Sequence, residues 1–387
     1  MIDDSTYPAC TGGLRLYATV AVTSQRERFV TTVSSIQARK RQGIGSALFA
    51  AGLFGASTPF TKILLEQVSP VMMAGLLYAG SGIGLSGWLA FRRQRIGHRA
   101  ETPLGQTDLP WLLSAIIAGG VIGPVLFTLG LIRSSASAAA LLLNLEGVFT
   151  ALLAWFVFAE NFDRRIALGM LSIVAGGVVL SWDRSAGIGI TWGSMAIVAA
   201  CLMWAIDNNV TRKISACDPV QIAAIKGVVA GAVNIALALG TGSVVPGVAI
   251  VSSACLLGFL SYGLSLVLFV RALRHLGTAR TSAYFSTAPF VGTVLAIVLL
   301  HETPSVSVLV AIVLMGLGVF LHVTEVHDHE HGHSALEHEH WHDHDEHHQH
   351  EHPPGMDAHG PHSHPHVHPP IRHTHAHYPD VHHRHVH

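Results

Sequence analysis

Between Gly43 and Val323 the sequence is a succession of apolar runs of about 20 residues with short breaks, the length a helix needs to cross ~30 Å of hydrocarbon. Ten runs are readable, at 43–66, 69–91, 109–132, 136–158, 165–182, 190–210, 219–239, 247–270, 279–300 and 304–323. Hydrocarbon offers no partner to backbone N–H and C=O groups, so each run must satisfy its own as helix. Charged residues make up only 12% of the chain, where a soluble domain carries about 25%. The expectation is an all-α integral membrane protein with ten transmembrane helices. An N-terminal segment, 1–42, precedes them and a disordered tail, 327–387, follows. The segment 1–42 has only a short apolar patch, Leu14 to Val22, too weak for a cleavable signal sequence.

Charge placement orients the spans. Residues 1–326 hold 21 Lys/Arg and 14 Asp/Glu, whereas 327–387 hold 2 Arg, 10 Asp/Glu and 24 of the 28 histidines. The net charge near zero is therefore two opposite segments cancelling. Ten spans leave both termini on one side. The segments on that side carry sixteen basic residues, among them Arg39, Lys40, Arg41, Arg92, Arg93, Arg95, Arg164, Arg165, Arg212 and Lys213, against Arg133 and Arg184 opposite. The positive-inside rule then places both termini, and the tail, in the cytoplasm. Four cysteines (Cys10, Cys201, Cys217, Cys255) show no CxxC spacing, so no disulfide framework follows.

The chain also repeats itself. VLFTLGLIRSSASAAALLLNLEGVFTALLAWFVFAEN from Val125 matches VLFVRALRHLGTARTSAYFSTAPFVGTVLAIVLLHET from Val267 at a constant shift of 142, which lays Glu160 on Glu302 and Gly176 on Gly318. Phe54 to Lys62 matches Trp204 to Arg212 more loosely, at a shift of 150. Two halves, 43–182 and 190–323, of five spans each must lie inverted in the membrane. Such repeats are a transporter architecture with the site near midplane between the halves.

With LLLNLEGVFTALLAWFVFAEN in one half and STAPFVGTVLAIVLLHE in the other, the region 43–323 resembles the EamA family of the drug/metabolite transporter superfamily. The resemblance implies a plasma-membrane permease working by alternating access, often an exporter of small metabolites, and leaves the cargo open. Two features depart from the pattern: Glu146-Gly147 stands where the second half has Ala288-Pro289, and the His-rich tail is added.

Few polar residues interrupt the spans. Glu146 lies about ten residues into the fourth, where a carboxylate costs about 2.5–3.5 kcal/mol. It either binds cargo or exchanges a proton, or it bonds Asn144 or a neighbouring helix and holds packing together. Lys226 either snorkels to the inner surface or pairs with Glu146. Asp207, Asn208 and Asn209 end the sixth run and either line the path or merely close a helix. Tyr284 and Asn234 are further candidates for the path. Glu160 and Glu302 sit at repeat-equivalent helix ends and mark the interface, and His275, His301 and His322 are solvated. Pro59, Pro124 and Pro289 should kink their spans, and Gly80-x-x-x-Gly84 and Gly227-x-x-x-Gly231 should allow close helix packing.

The tail opens HDHEHGHSALEHEHWHDHDEHHQHEH. It has too few apolar residues for a core. Its imidazoles (His327, His329, His331, His333, His338, His340, His342, His344, His347, His348, His350 and His352) suit nickel, cobalt or zinc. A pH sensor is the rival reading, since histidine titrates near 6.5. Similar tails occur in some bacterial nickel and cobalt efflux permeases, so the sharpest expectation is an inner-membrane exporter of a divalent metal, its tail collecting ions for the pore. The alternative is an exporter of a small organic metabolite, with the tail a metal-responsive regulator or store. A metal store without transport would need one anchoring span rather than ten. No nucleophile–base pair, cofactor motif or tightly bound cofactor is expected. The expected partners are the bilayer, metal ions, a small solute or ion as cargo and a second copy in a homodimer, with no nucleic acid.

Overall fold

The computed structural model describes residues 41–96, 104–158, 164–183, 189–214, 217–276, 281 and 284–323, with the tail segments 328–332, 336–342, 362–368 and 372–376. Almost all of the N-terminal segment 1–42, Glu160, His327, His333, His344, His347, His348, His350 and His352 lie outside the described residues.

The membrane part is helical throughout. The first half runs α1 (Arg41–Leu64), α2 (Pro70–Ile96), α3 (Gln106–Leu131), α4 (Ala136–Leu142 continued by Asn144–Phe158) and α5 (Arg164–Ser181). The second half runs α6 (Trp192–Thr211), α7 (Pro219–Gly240), α8 (Val248–Gly258 to Ser265–Leu276), α9 (Ala288–Leu299) and α10 (Val306–Val323). Among the described residues, eight of these helices are long and apolar enough to cross a membrane, and Ala288–Leu299 and Val306–Leu321 are shorter apolar helices, so length alone does not confirm the expected count of ten. Two residues set the limits of the ninth: Pro289 occupies its first turn, and His301, at φ 52°, follows its end in the left-handed region, which breaks helical repetition.

The 142-residue shift is visible in the architecture. It carries Arg164–Ser181 onto Val306–Val323 end to end. Helices in equivalent positions pack on each other: α2 on α7, α4 on α9 and α5 on α10. The α2–α7 contact is backbone to backbone. A Cβ on Gly82 would stand 2.2 Å from Val228 N, and one on Gly231 would stand 2.5 Å from Ala79 N. Gly80 and Gly84 face α8 instead, where a Cβ on Gly80 would meet Cys255 O at 2.1 Å.

The shift also relates two irregularities. Residues Ile116–Ile122 of α3 and Phe259–Leu264 of α8 are π-helical, a form often found at functional sites. In α3 the cause is legible: Pro124 has no N–H to give the preceding turn. Gly119 and Gly120, whose carbonyls lie one π or α turn back, are met from other helices. Tyr78 Oη and Trp204 Nε1 donate to Gly119 O at 2.6 and 3.1 Å, and Asn234 Nδ2 donates to Gly120 O at 3.0 Å. In α8 the link runs outward, as Ser261 and Ser265 donate to the α1 carbonyls of Leu53 and Ala50 at 2.8 and 2.9 Å.

Outside the membrane, β1 (Trp182–Asp183) pairs with β2 (Gly189–Ile190). In the tail, β3 (Asp328–Gly332) pairs antiparallel with β6 (Arg372–Ala376), and β4 (Leu336–His342) with β5 (His362–His368). Histidine recurs at every second residue there, the period of a strand.

Candidate functional site

The halves enclose a cavity of about 450 Å³ bordered by α1, α4, α6, the end of α8 and the start of α9. The sequence positions Glu146 within it. α4 breaks at Leu143, and the following segment starts at Asn144, with Glu146 in its first turn. A carboxylate there sits in the favourable field of a helix N-terminus. Asn208 Nδ2 donates to Glu146 Oε1 at 2.8 Å and lies 3.4 Å from Thr150 Oγ1, while Asn209 Nδ2 donates to Thr150 O at 3.2 Å. Phe54, Phe269 and Phe285 form the opposing wall, with ring centroids 5.5 Å apart for Phe54–Phe285 and 4.9 Å for Phe269–Phe285.

Of the residues expected from the sequence, Glu146, Asn144 and Asn208 border this space together. Asn144 is turned partly away from it, donating to Leu141 O at 3.0 Å and approaching Met315 Sδ at 3.8 Å. Asp207 and Lys226, which do not border the cavity, form a second centre. Lys226 Nζ is ion-paired to Asp207 rather than to Glu146. The reason is register: Asp207 and Asn208 are adjacent on α6 and so point about 100° apart around it. One reaches the α7 side, the other α4. Asp207 also accepts from Thr211 Oγ1 at 3.0 Å and fills the space over Gly119, where a Cβ would stand 2.0 Å from its Oδ2. Tyr284 does not border the cavity; its carbonyl accepts from Thr287 N at 3.2 Å. Asn234 is fully buried and serves the α3 backbone, with its Oδ1 left without a partner.

Sequence reasoning missed the three phenylalanines and Thr150. One signal was present: Phe269 is the repeat partner of Phe127, yet Phe127 is buried against Trp204 at a centroid distance of 5.6 Å while Phe269 faces the cavity. Tyr78 was also missed, as nothing local to it in the sequence marks a clamp on another helix.

The two ends of the bundle differ. At one end, Lys62 Nζ at the end of α1 donates to Leu131 O and Ser134 O at 2.5 and 2.8 Å. There Glu302, just past α9, accepts from Ala136 N and Ser137 N at 2.7 and 3.0 Å. A cation on the last carbonyls of α3 and an anion on the first amides of α4 each complement a helix dipole, and the Glu302 contacts tie the second half to the first. At the other end Arg92 pairs with Asp218, which caps α7. Asn208, Asn209 and Phe269 lie near helix ends on this second side, so the cavity lies toward it and the Lys62–Glu302 end is closed.

Among the described residues, no group of three or more His, Cys, Asp or Glu stands ready to hold a metal ion. In the tail, backbone register sets His329 opposite His375, His331 opposite His373, and His338, His340 and His342 opposite His366, His364 and His362.

Comparison with known proteins agrees with this architecture. An uncharacterized transporter of Methanothermobacter thermautotrophicus is 28% identical over 287 residues, 69% of this chain and 82% of that protein. The uncharacterized inner membrane transporter YedA of Escherichia coli is 25% identical over 273 residues, 67% of this chain and 83% of its own. A solved structure described only as a crystal structure of a protein shares the fold, with a TM-score of 0.51 at 17% identity, over 73% of this chain and 95% of that one. The EamA-like transporter family matches twice, over residues 41–182 and 191–324, the two halves that the repeat defines. This multi-pass membrane protein therefore belongs to the EamA-like transporter family.

Proposed function

We propose that the chain exports a small organic solute by alternating access, with the cavity around Glu146 as its cargo site. The observation that carries this reading is the make-up of the cavity. A space of about 450 Å³ with a phenylalanine wall and a few convergent polar groups has the size and chemistry of a small-molecule site. Nickel or cobalt as cargo would call for several imidazole, thiolate or carboxylate ligands, and the cavity brings one carboxylate. The inner membrane is the proposed location, with the cavity facing the cytoplasm under the positive-inside orientation and the Lys62–Glu302 end facing outward.

The tail has a separate role in this proposal, as a cytoplasmic metal-binding store or regulator. Register sets histidine opposite histidine at five positions, and flanking carboxylates supply further oxygen ligands. Ions held there should be released below about pH 6, because protons compete for imidazole.

The experiment compares cells carrying the intact chain, Glu146→Gln, and a chain ending at Val326. Organic metabolites and nickel, cobalt and zinc are measured in all three. Loss of organic export in Glu146→Gln with unchanged metal content supports the proposal. A rise in cell metal in Glu146→Gln equal to that of the truncated chain would instead make the metal the cargo.

A further inference from the structure

We infer that the cargo is a monovalent organic cation, an amine or quaternary ammonium with an apolar body. This rests on the cavity being the cargo site and adds the chemical class that the site selects.

Three features converge. Glu146 is the only ionisable side chain among the described residues that border the space. The nearest amine, Lys226, is already held by Asp207 and does not border it. When ionised, Glu146 gives the cavity one negative charge that no other bordering side chain among the described residues offsets, and low-dielectric surroundings then repel an anion and attract a cation strongly. A divalent ion would leave one positive charge uncompensated, whereas a monocation balances it.

The carboxylate is also presented for such a partner. Asn208 Nδ2 donates to Oε1 at 2.8 Å, which holds the carboxylate at the edge of the space. On the facing side, Phe54 and Phe285 are inclined by 42°, and Phe269 and Phe285 by 67°. The aromatic wall is thus not one flat surface. Ring faces carry negative potential and attract ammonium groups, most strongly when desolvated. Phenylalanine has no polar tip, so the wall also accepts an alkyl or aryl body. Asn209 and Thr150 add polarity beside Glu146, and Ser286 adds one hydroxyl-bearing residue next to Phe285.

The test uses the purified full chain in lipid nanodiscs, with benzyltrimethylammonium as cation, neopentylbenzene as its neutral isostere and benzenesulfonate as anion. Binding is read by titration calorimetry. Gly147→Trp serves as a plug, because Gly147 borders the cavity and a Cβ added to it would meet nothing within 4 Å. The expected result is saturable cation binding that Gly147→Trp abolishes. Glu146→Gln should weaken it at least about tenfold, about 1.4 kcal/mol, and Phe285→Ala severalfold, with circular dichroism unchanged. If the neutral or anionic probe binds as tightly as the cation and Gly147→Trp abolishes that binding, the cargo site stands and the cation class is overturned. If Gly147→Trp leaves cation binding unchanged, the cavity is not the cargo site. Absence of saturable cation binding in the intact chain overturns the inference outright.

Discussion

At the scale of single residues, the polar groups inside the membrane divide into those available to cargo and those consumed by the fold. Glu146 belongs to the first group, and the Asp207–Lys226 pair to the second. Removing one partner of a buried pair strands a charge and costs about 3–5 kcal/mol, whereas removing both with apolar groups of similar volume is often nearly neutral. Asp207→Leu or Lys226→Met alone should therefore lower the thermal midpoint in detergent, and the double variant should recover most of the loss. Recovery by neither would place the pair outside the folding energetics. Cys217 offers a check between helices. Burial, followed by the Asp108 carboxylate, holds its thiol above the ordinary value, with Sγ 3.7 Å from Asp108 Oδ2. A raised value means less thiolate at a given pH, so maleimide should label Cys217 slowly and faster as pH rises. Asp108→Asn removes the charge and should speed labelling severalfold at neutral pH, measured with Cys10 replaced by Ser.

At the scale of elements, the paired π segments in α3 and α8 are the feature that packing alone would not produce. In α3 they follow from Pro124, and the freed carbonyls are answered by α2, α6 and α7. A buried carbonyl left without a donor costs about 1–3 kcal/mol. Asn234→Leu should destabilise by that amount. Pro124→Ala, which restores an N–H to the same turn, should offset part of it, so the two changes together cost less than their sum in a double-mutant cycle. Strict additivity would mean that the proline and the asparagine serve different carbonyls. In α8 the repeat position of Pro124 is Leu266, and the π form there is held by Ser261 and Ser265 through α1. The same local shape thus has two different supports.

At the scale of the whole molecule, the proposed export cycle requires the halves to part at the Lys62–Glu302 end for cargo to leave. Between the cavity and Lys62, the hydroxyls of Thr58 and Thr61 are buried at 1% and 0% exposure with no partner. Opening would hydrate them, which offsets part of the cost of separating the helices. Glu302→Gln weakens the charged hold on the first amides of α4, so the outward-open state should gain population. A cysteine placed at Thr61 should then react faster with a membrane-impermeant maleimide added outside. An unchanged rate would show that the Glu302 contact does not restrain that end.

The sequence by itself determined the helical membrane class and the two-fold repeat, and it singled out Glu146, which borders the cavity. Each of these is written locally: in the length of apolar runs, in a constant shift, and in a carboxylate where hydrocarbon makes it costly. The same local reading counts ten spans, of which eight have full length among the described residues. It also left Lys226 open to pairing with Glu146, and gave no reason to single out Phe54, Phe269, Phe285 or Tyr78. Those assignments depend on which face each helix turns to its neighbours. Only tertiary packing decided them: α6 directs Asp207 and Asn208 to different helices, and of two repeat-equivalent phenylalanines Phe127 is buried against Trp204 while Phe269 borders the cavity, because the neighbours packed around each copy differ.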